Sequence, residues 1–495
     1  MNRILFKYTK ISVILLLIFD ITSCAAIEIE EEIIKRTDRG GDDLCFGVIA
    51  DTHLGTGGSY LNHRRFEKVL DWYNMESVDA LAIVGDITDN ATHAQWNTFE
   101  KSWEKHKGDL QLIAVMGNHD VYSGNIVGTG LFEAATKQKT NAHYVIRGYH
   151  FIVLSTGSGD FTNTGAIGGA IATGHTDTPG NGTNLGDNVP KSVLDWLRER
   201  IEIAKSDAPG KPVFVFLHWP VYNTFIQSDR FYTTSFGNDP LTGFFKNDPE
   251  VVIFGGHVHQ PNNDPRAIWQ ESFTSVNVPP MYYMAMGPTG YLGNSIDGTT
   301  NSAFPKIAGL PAGAGQGLIV TVRGSKVSIE NFDFDFSEGA TPLSNIIKIP
   351  QTWEFDVSQP ADFPYTQAKR ETQKTAPVFD ETKPAETGLS MTIIKKIEDT
   401  SIEVEFPQAK IPEPNHGNEV VYSYHFDFIN RQTGAIERSV RQWSDFMLTP
   451  RLQKSTYTQL IGGLKPGTDY ELQIFAYSSF QECSKQYITQ IFRTH

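Results

Sequence analysis

The sequence is short of cysteine, with three in 495 residues, and short of basic side chains, with 42 Lys and Arg against 57 Asp and Glu. Three cysteines cannot build a disulfide-stapled scaffold. A formal charge of −15 repels a phosphate backbone, which argues against nucleic-acid binding by bulk charge unless a basic groove or a metal compensates. Long apolar runs are missing as well. The run Ile11 to Phe19 falls far short of the roughly 20 residues that span a bilayer, and no later segment reaches that length. What is present is ordinary globular composition, 40% apolar and 20% charged, which rules out wholesale disorder.

Arg3, Lys7 and Lys10 precede the apolar run Ile11 to Phe19, the order of an export signal. Ile21-Thr22-Ser23-Cys24 resembles a bacterial lipobox, in which the cysteine is lipidated and becomes the mature N-terminus. An ordinary cleaved signal with a chance cysteine is the alternative. The small residues before Cys24 and the charged stretch Glu28 to Arg39 favour the lipobox. Residues 1–23 are therefore expected to be a lipoprotein-type signal peptide and 24–43 a tether. The protein is expected to be exported and anchored to the bacterial envelope by lipid on Cys24, at the periplasmic face or the cell surface. Cys45 and Cys483 fall in different predicted domains and read as buried or free thiols.

From Leu44 the chain alternates short apolar strands with helical patterns, the mark of an α/β layered domain. Cys45 to Ala50 is a continuous apolar run, as in a strand buried on both faces. Further strands are predicted at Ala80 to Val84, Leu110 to Met116, Tyr144–Arg147, His150–Ser155, Val213 to Leu217 and Val251 to Phe254. The last of these is the final clear core strand. Gly317 to Ile329 reads as a closing hairpin turning at Gly324-Ser325. Between Gly157 and Asn188 the chain is rich in Gly, Thr and Asn, a long loop of the kind that is usually functional or mobile. Residues 337–387 are rich in Pro, Thr, Lys and Glu and are expected to be a linker, with a possible strand near Trp353-Glu354-Phe355. From 388 to 495 the pattern becomes alternating strands with no helical period.

Five short motifs fall at the ends of predicted strands: Asp51-Thr52-His53, Gly85-Asp86, Gly117-Asn118-His119-Asp120, His218-Trp219-Pro220 and Gly256-His257-Val258-His259. Ligands of open α/β sheets gather outside the carboxyl ends of the strands, so these side chains can converge on one crevice. Imidazole nitrogens with carboxylate and amide oxygens suit first-row divalent metals. The absence of cysteine from the set argues against a structural zinc site. Taken singly, each motif has a plain explanation: a helix cap for a lone Asp, a hydrogen-bonded core imidazole for His218. Five in one order, each after an apolar run, are poorly explained by chance.

As a set the motifs resemble the calcineurin-like metallophosphoesterase superfamily, over residues 44–336. The resemblance implies a four-layer α/β/β/α metallophosphoesterase sandwich holding two divalent metal ions, Mn, Fe or Zn, with phosphomonoesters or phosphodiesters hydrolysed by a metal-bridging hydroxide. It places Asp51, His53 and His259 on the first metal and Asn118, His218 and His257 on the second, with Asp86 bridging them. His119 is expected to face the scissile phosphate as general acid or charge stabiliser. Asp120 either orients that imidazole or serves as a structural cap. Purple acid phosphatases of the same superfamily have a Tyr three residues after the bridging Asp. Here that residue is Asp89, so a tyrosinate-coloured iron site is not expected. Arg266 is either a clamp for a substrate phosphate or an ion-pair partner of Asp264, and Tyr291 either lines the cleft or packs.

Residues 388–495 resemble a fibronectin type III domain, an all-β sandwich, through Leu464-Lys465-Pro466-Gly467-Thr468-Asp469-Tyr470-Glu471-Leu472. That stretch is a turn into a strand with Tyr470 placed for a tyrosine corner. Phe406 stands where the usual strand-B tryptophan would be. Such a tail reads equally as a spacer, a docking surface or a binder of protein or glycan. The expectation for the whole chain is a metal-dependent phosphohydrolase. Its rival is a catalytically inactive surface adhesion or binding protein on the same fold, and the completeness of the ligand set favours the enzyme.

Overall fold

The computed structural model describes residues 43–55, 60–121, 125–154, 191–228, 240–282, 284, 315–334, 346–384, 386–446 and 455–495. The export signal, nearly all of the tether with Cys24, the Gly/Thr/Asn-rich stretch between Gly157 and Asn188, and Tyr291 lie outside the described residues.

Strand β1 (Leu44–Ile49) is apolar and buried at every position, as a strand with a layer on each side must be. It pairs in parallel with β2 (Ala80–Val84), and β2 with β3 (Gln111–Val115). Helices α1 (Tyr60–Met75) and α2 (His93–His106) lie in the two crossovers. A capping box starts α2: Thr92 accepts from the Gln95 amide while the Gln95 side chain reaches back. Helix α3 (Asn125–Thr136) follows.

The second sheet is built from β4 (Ala142–Ile146), β5 (Tyr149–Leu154), β6 (Val213–Leu217), β7 (Val251–Gly255), β8 (Ile268–Gln270) and β9 (Thr274–Asn277). Their order is β4-β5-β6-β7-β9-β8, parallel except at the two edges. Helices α4 (Lys191–Asp207) and α5 (Pro240–Phe244) precede β6 and β7. The chain then returns to the first sheet as β10 (Gln316–Arg323), β11 (Lys326–Asp333) and β12 (Ile347–Asp356), giving the order β12-β11-β10-β1-β2-β3.

Alternation along β1 decides the layering. Leu44, Phe46 and Val48 face a core shared with Phe151, Phe214, Phe216 and Phe254 of the other sheet. The Phe46 ring meets Phe151 at 5.1 Å and Phe214 at 4.9 Å, both edge-on. Cys45 and Ile49 point the other way, into a core with Phe66, Leu70, Trp96 and Phe99 of α1 and α2. On the far face of the second sheet, Ile152, Val215 and Ile253 pack on Leu197 and Ile201 of α4. The result is a four-layer α/β/β/α sandwich.

Two elements depart from expectation. The second sheet runs on past Val251–Gly255 into β8 and β9, too short to carry a periodic signal. The stretch 337–387, read as a linker with a strand near Trp353-Glu354-Phe355, contains that strand as part of the longer β12, whose Ile349, Gln351, Trp353 and Phe355 are buried while Lys348, Pro350 and Glu354 are exposed. An edge strand shows apolar residues only at alternate positions, and its polar outer half supplies the linker-like composition. Trp353 and Phe355 belong to the core between the sheets. A short helix, α6 (Gln367–Glu371), follows.

The C-terminal region is all β: β13 (Gly388–Ser390), β14 (Ile394–Ile397), β15 (Ser401–Pro407), β16 (Val421–Asn430), β17 (Ile436–Trp443), β18 (Thr456–Gly462), β19 (Asp469–Ser478) and β20 (Tyr487–Arg493). One sheet has the order β13-β20-β19-β16-β17 and the other β14-β15-β18. Their shared core includes Ile402, Val404 and Phe406 with Phe426, Leu472 and Ile474. The Tyr470 hydroxyl accepts from the Lys465 amide at 3.2 Å and donates to Glu437 at 3.0 Å. Cys45 and Cys483 are free thiols. Among the described residues no helix is long and apolar enough to cross a membrane.

Candidate metal centre

Each of the five motifs begins where a parallel strand stops. Asp51 and His53 follow β1, Asp86 follows β2, Asn118 and His119 follow β3, His218 follows β6, and His257 and His259 follow β7. Pairing continues past the strand ends and holds these loops together. The amide of Asp51 donates to the Gly85 carbonyl and that of His53 to the Asp86 carbonyl, both at 3.0 Å, while Gly256 donates to His218 at 2.9 Å. Asp51, His53, Asp86, His257 and His259 all have left-handed backbones, with φ of 54°, 43°, 49°, 70° and 51°. A non-glycine residue in that region costs about 1–2 kcal/mol, and such strain persists where the surroundings over-determine it, most often at functional sites.

The side chains form three ligand-type groups: two share Asp86, and a third, His53 with Asp89 and His119, shares His53 with the first. Asp51, His53, Asp86 and His259 bring four ligand-type atoms together, and Asp86, His218 and His257 bring three. The Nε2 atoms of His53 and His259 face each other at 3.4 Å, and His259 Nε2 lies 3.1 Å from Asp51 Oδ1. Across the site, His218 Nε2 lies 3.2 Å from Asp86 Oδ2. Both atoms in these close carboxylate contacts remain orphaned: Asp51 Oδ1 and His218 Nε2 are buried with no hydrogen-bond partner among the described residues. Buried polar atoms are ordinarily paired. Lone pairs converging at contact distance without aligned donors are what a cation's ligand shell looks like, so this set fits two divalent ions with Asp86 between them.

The ring orientations agree. His218 Nδ1 lies 2.8 Å from the Val84 carbonyl and His119 Nδ1 2.8 Å from the Asp89 carbonyl. A carbonyl only accepts, so each Nδ1 carries a proton and each Nε2 is turned to the centre. His53 Nδ1 sits 3.3 Å from the Asp89 carboxylate, the carboxylate–histidine arrangement that orients metal-ligating rings. His119 Nε2 is 4.0 Å from Asp86 Oδ2, and the His119 amide donates to Asp86 Oδ1 at 2.8 Å.

Burial and charge compete here, and charge wins at the carboxylates. Burial pushes the Asp86 carboxyl up, but His218, His119 and His53 hold it well below the usual range. Asp51 is likewise lowered, with His259 and His218 outweighing burial. Burial pulls His218 down, yet Asp86 and Asp51 raise it to about 9. Burial and the neighbouring His218 push His257 down to about 3.

The motif glycines are sterically required. A Cβ on Gly85, whose φ is +84°, would lie 2.3 Å from His218 Nδ1, and one on Gly117 would lie 2.2 Å from Asp86 Oδ1. Asp120 does not orient His119. Its carboxylate accepts from the amides of Ile87, Thr88 and Gly117 and from the Thr88 hydroxyl, so it braces the loops after β2 and β3 against each other. Burial and the Asp86 charge raise its carboxyl to about 6. Arg266 forms a two-pronged ion pair with Asp264, its Nε 2.9 Å and Nη2 2.6 Å from the two oxygens, and neither residue is among the ligand-type groups.

Two residues that sequence reasoning passed over complete the surroundings. Asp89 touches both His53 and His119. Trp219 donates from Nε1 to Asn118 Oδ1 at 3.0 Å and stacks on His257 with ring centres 4.6 Å apart. The available signals were the two-residue gap from Asp86 to Asp89 and the direct adjacency of Trp219 to His218.

Residues 45–261 match the family model described as calcineurin-like phosphoesterase. No curated protein matches the sequence. Among solved structures, the chain is similar to a purple acid phosphatase isolated from yellow lupin (Lupinus luteus) seeds, at 11% identity and a TM-score of 0.37 over 63% of this chain and 53% of that one. It thus spans about half the length of that phosphatase. It is also similar to PhoD, at 12% identity and a TM-score of 0.32 over 63% of this chain and 72% of that one. The FN5 domain of Drosophila Lar matches at 16% identity and a TM-score of 0.14, over 22% of this chain and 97% of that domain.

Proposed function

Residues 45–261 are a calcineurin-like phosphoesterase domain, and from that premise we propose that the protein hydrolyses phosphate esters at a two-metal centre. The observation that carries the reading is the shared Asp86: two ligand-type groups meet at its carboxylate, beside the orphaned Asp51 Oδ1 and His218 Nε2. In this reading Asp51, His53 and His259 would hold one ion and Asn118, His218 and His257 the other, with the Asp86 carboxylate available to both. Two divalent ions bound there supply Lewis acidity to the phosphoryl oxygens and lower the pKa of a coordinated water.

The chain's own residues do the rest. Asp89 holds the His53 ring through Nδ1, and the Val84 carbonyl holds His218 in the same way. His119, fixed by the Asp89 carbonyl with Nε2 turned inward, is placed to give a proton to the departing alkoxide once its ring is doubly protonated. Asp120 keeps the loops bearing Asp86 and His119 in register.

The protein is further read as exported and lipid-anchored through Cys24, and its tail as a fibronectin type III-like sandwich that binds protein or glycan. The Tyr470–Lys465 contact supports the fibronectin-like fold of the tail. The deciding experiment is release of nitrophenol from mono- and bis-nitrophenyl phosphate by the full chain with Mn²⁺, Fe²⁺ or Zn²⁺. Turnover that disappears in Asp86→Asn is expected. No turnover with any of the three ions would leave a binding protein on this fold.

A further inference from the structure

A cavity of about 550 Å³, separate from the metal centre, opens where the α/β domain meets the C-terminal sheets. Its walls come from residues 223–227, the Arg266–Trp269 segment, α6, and the sheet containing β16 and β17. Four cationic side chains line it: Arg266, Arg370, Lys374 and Arg441. Two of the charges are already answered. Arg266 is paired with Asp264, and Lys374 lies 2.8 Å from Glu371 and 3.8 Å from Glu482.

The other two have only neutral partners. Arg370 Nη2 donates to the Pro265 carbonyl at 2.7 Å and to the Ile268 carbonyl. Arg441 donates to the Ser423 hydroxyl at 2.9 Å and to the Gln481 side-chain oxygen at 2.7 Å. Neither guanidinium makes an ion pair among the described residues. Burial pulls both below the ordinary arginine range, Arg370 to about 10, with the charge of Arg266 opposing it as well and only Asp264 and Tyr365 supporting it. Two half-buried cations that form no ion pair among the described residues are unusual in a chain of formal charge −15, because a desolvated charge is normally compensated at close range. Beside them the cavity presents aromatic rings, Trp269, Trp443 and Phe480.

We propose that this cavity binds an organic anion, its phosphate or carboxylate group taken by the guanidinium forks of Arg370 and Arg441 and its ring packed against Trp269 and Trp443. A guanidinium is the side chain that best matches a planar or tetrahedral oxyanion, offering paired donors in a fixed fork. The cavity volume falls in the range of small-molecule sites. Arg266 is held in place by Asp264 and by the Tyr422 ring 4.6 Å beneath its charge, and it frames the pocket without needing a ligand. The site lies on the chain segments that leave His218 and His259, but it is built from different side chains and does not depend on metal.

The test uses calorimetric titration of the full chain with phenylphosphonate, which no phosphoesterase can hydrolyse as an ester, and with benzoate. Both titrations are run on metal-loaded and on chelator-treated protein. Chelation removes binding at the metals, so a binding event that survives it and weakens in the arginine variants belongs to this cavity. That event is expected in wild type and in Asp51→Asn, and it should weaken about tenfold or more in Arg370→Gln and in Arg441→Gln. Arg441→Lys keeps the charge and loses the fork, and it carries the test if the Gln variants do not fold. Binding to the phosphonate alone would assign the site to phosphate-type anions, and binding to both would assign it to oxyanions generally. No binding after chelation overturns the proposal, as does an affinity equal to wild type in the folded variants.

Discussion

Replacing Trp219 by Phe separates two contacts that one side chain makes. The indole Nε1 donates to Asn118 Oδ1, and the ring stacks on His257 with an interplanar angle of 15°. An amide oxygen has two lone pairs, so Asn118 can accept from Trp219 and still offer the second to a metal. Phe keeps the stack and removes the donor. A neutral hydrogen bond has a net worth of about 0.5–1.5 kcal/mol, which is about 2- to 12-fold in a dissociation constant. Trp219→Ala loses the stack too, a further ~0.5–1.5 kcal/mol. The expected order of metal affinity is therefore wild type, then Phe, then Ala, and on the proposed division of ligands the weakening falls on the ion assigned to Asn118, His218 and His257. Equilibrium dialysis against Mn²⁺ with metal analysis reads the occupancies, and nitrophenyl phosphate hydrolysis against Mn²⁺ concentration reads the functional consequence. If Phe binds Mn²⁺ as wild type does, Trp219 does not orient Asn118. If both ions weaken equally, the division of ligands between the two sites is wrong.

Asn118→Ala should lower occupancy at one metal and be partly rescued by excess Mn²⁺. His119→Ala should keep both metals and lose about 10²–10⁴-fold in kcat; the loss should be smaller for nitrophenolate than for an alkoxide leaving group, and an equal loss for both would refute proton donation. Trp353→Ala removes a fully buried ring from the core between the sheets and should destabilise the protein by about 3–5 kcal/mol in chemical denaturation; a change within error would mean that β12 does not belong to that core. Burial and the neighbouring His150 push His143 down to about 4 from 6.5, so between those values the unfolded chain binds the extra proton and the folded one does not. Stability, complete above about pH 6.5, should decline modestly as pH falls towards 4, the effect being reduced by solvent at this half-exposed ring. His143→Gln should flatten that part of the curve of Tm against pH, and an unchanged curve would remove His143 as its cause.

The central strands were legible because burial on both faces demands unbroken apolar runs. Cys45 to Ala50 and Val213 to Leu217 are such runs, and each is followed by motif residues at the position where a parallel strand releases its chain. The ligand types were legible for the same reason: an imidazole or carboxylate directly after a buried strand is costly unless it has work to do. The strand β12 was legible only at Trp353-Glu354-Phe355, because an edge strand is half polar, and β8 and β9 were too short to show a period. What the sequence by itself determined is which residues stand at the strand ends. Only the packing of one sheet on the other decided that Asp86 is shared by two ligand-type groups and that Asp120 braces backbone amides while the Asp89 carbonyl holds His119. Arg370 and Arg441, 71 positions apart, meet at one cavity for the same reason. Contacts of that kind are made between loops distant in sequence, by side chains whose direction follows from left-handed backbones and interlayer packing, and no local pattern records them.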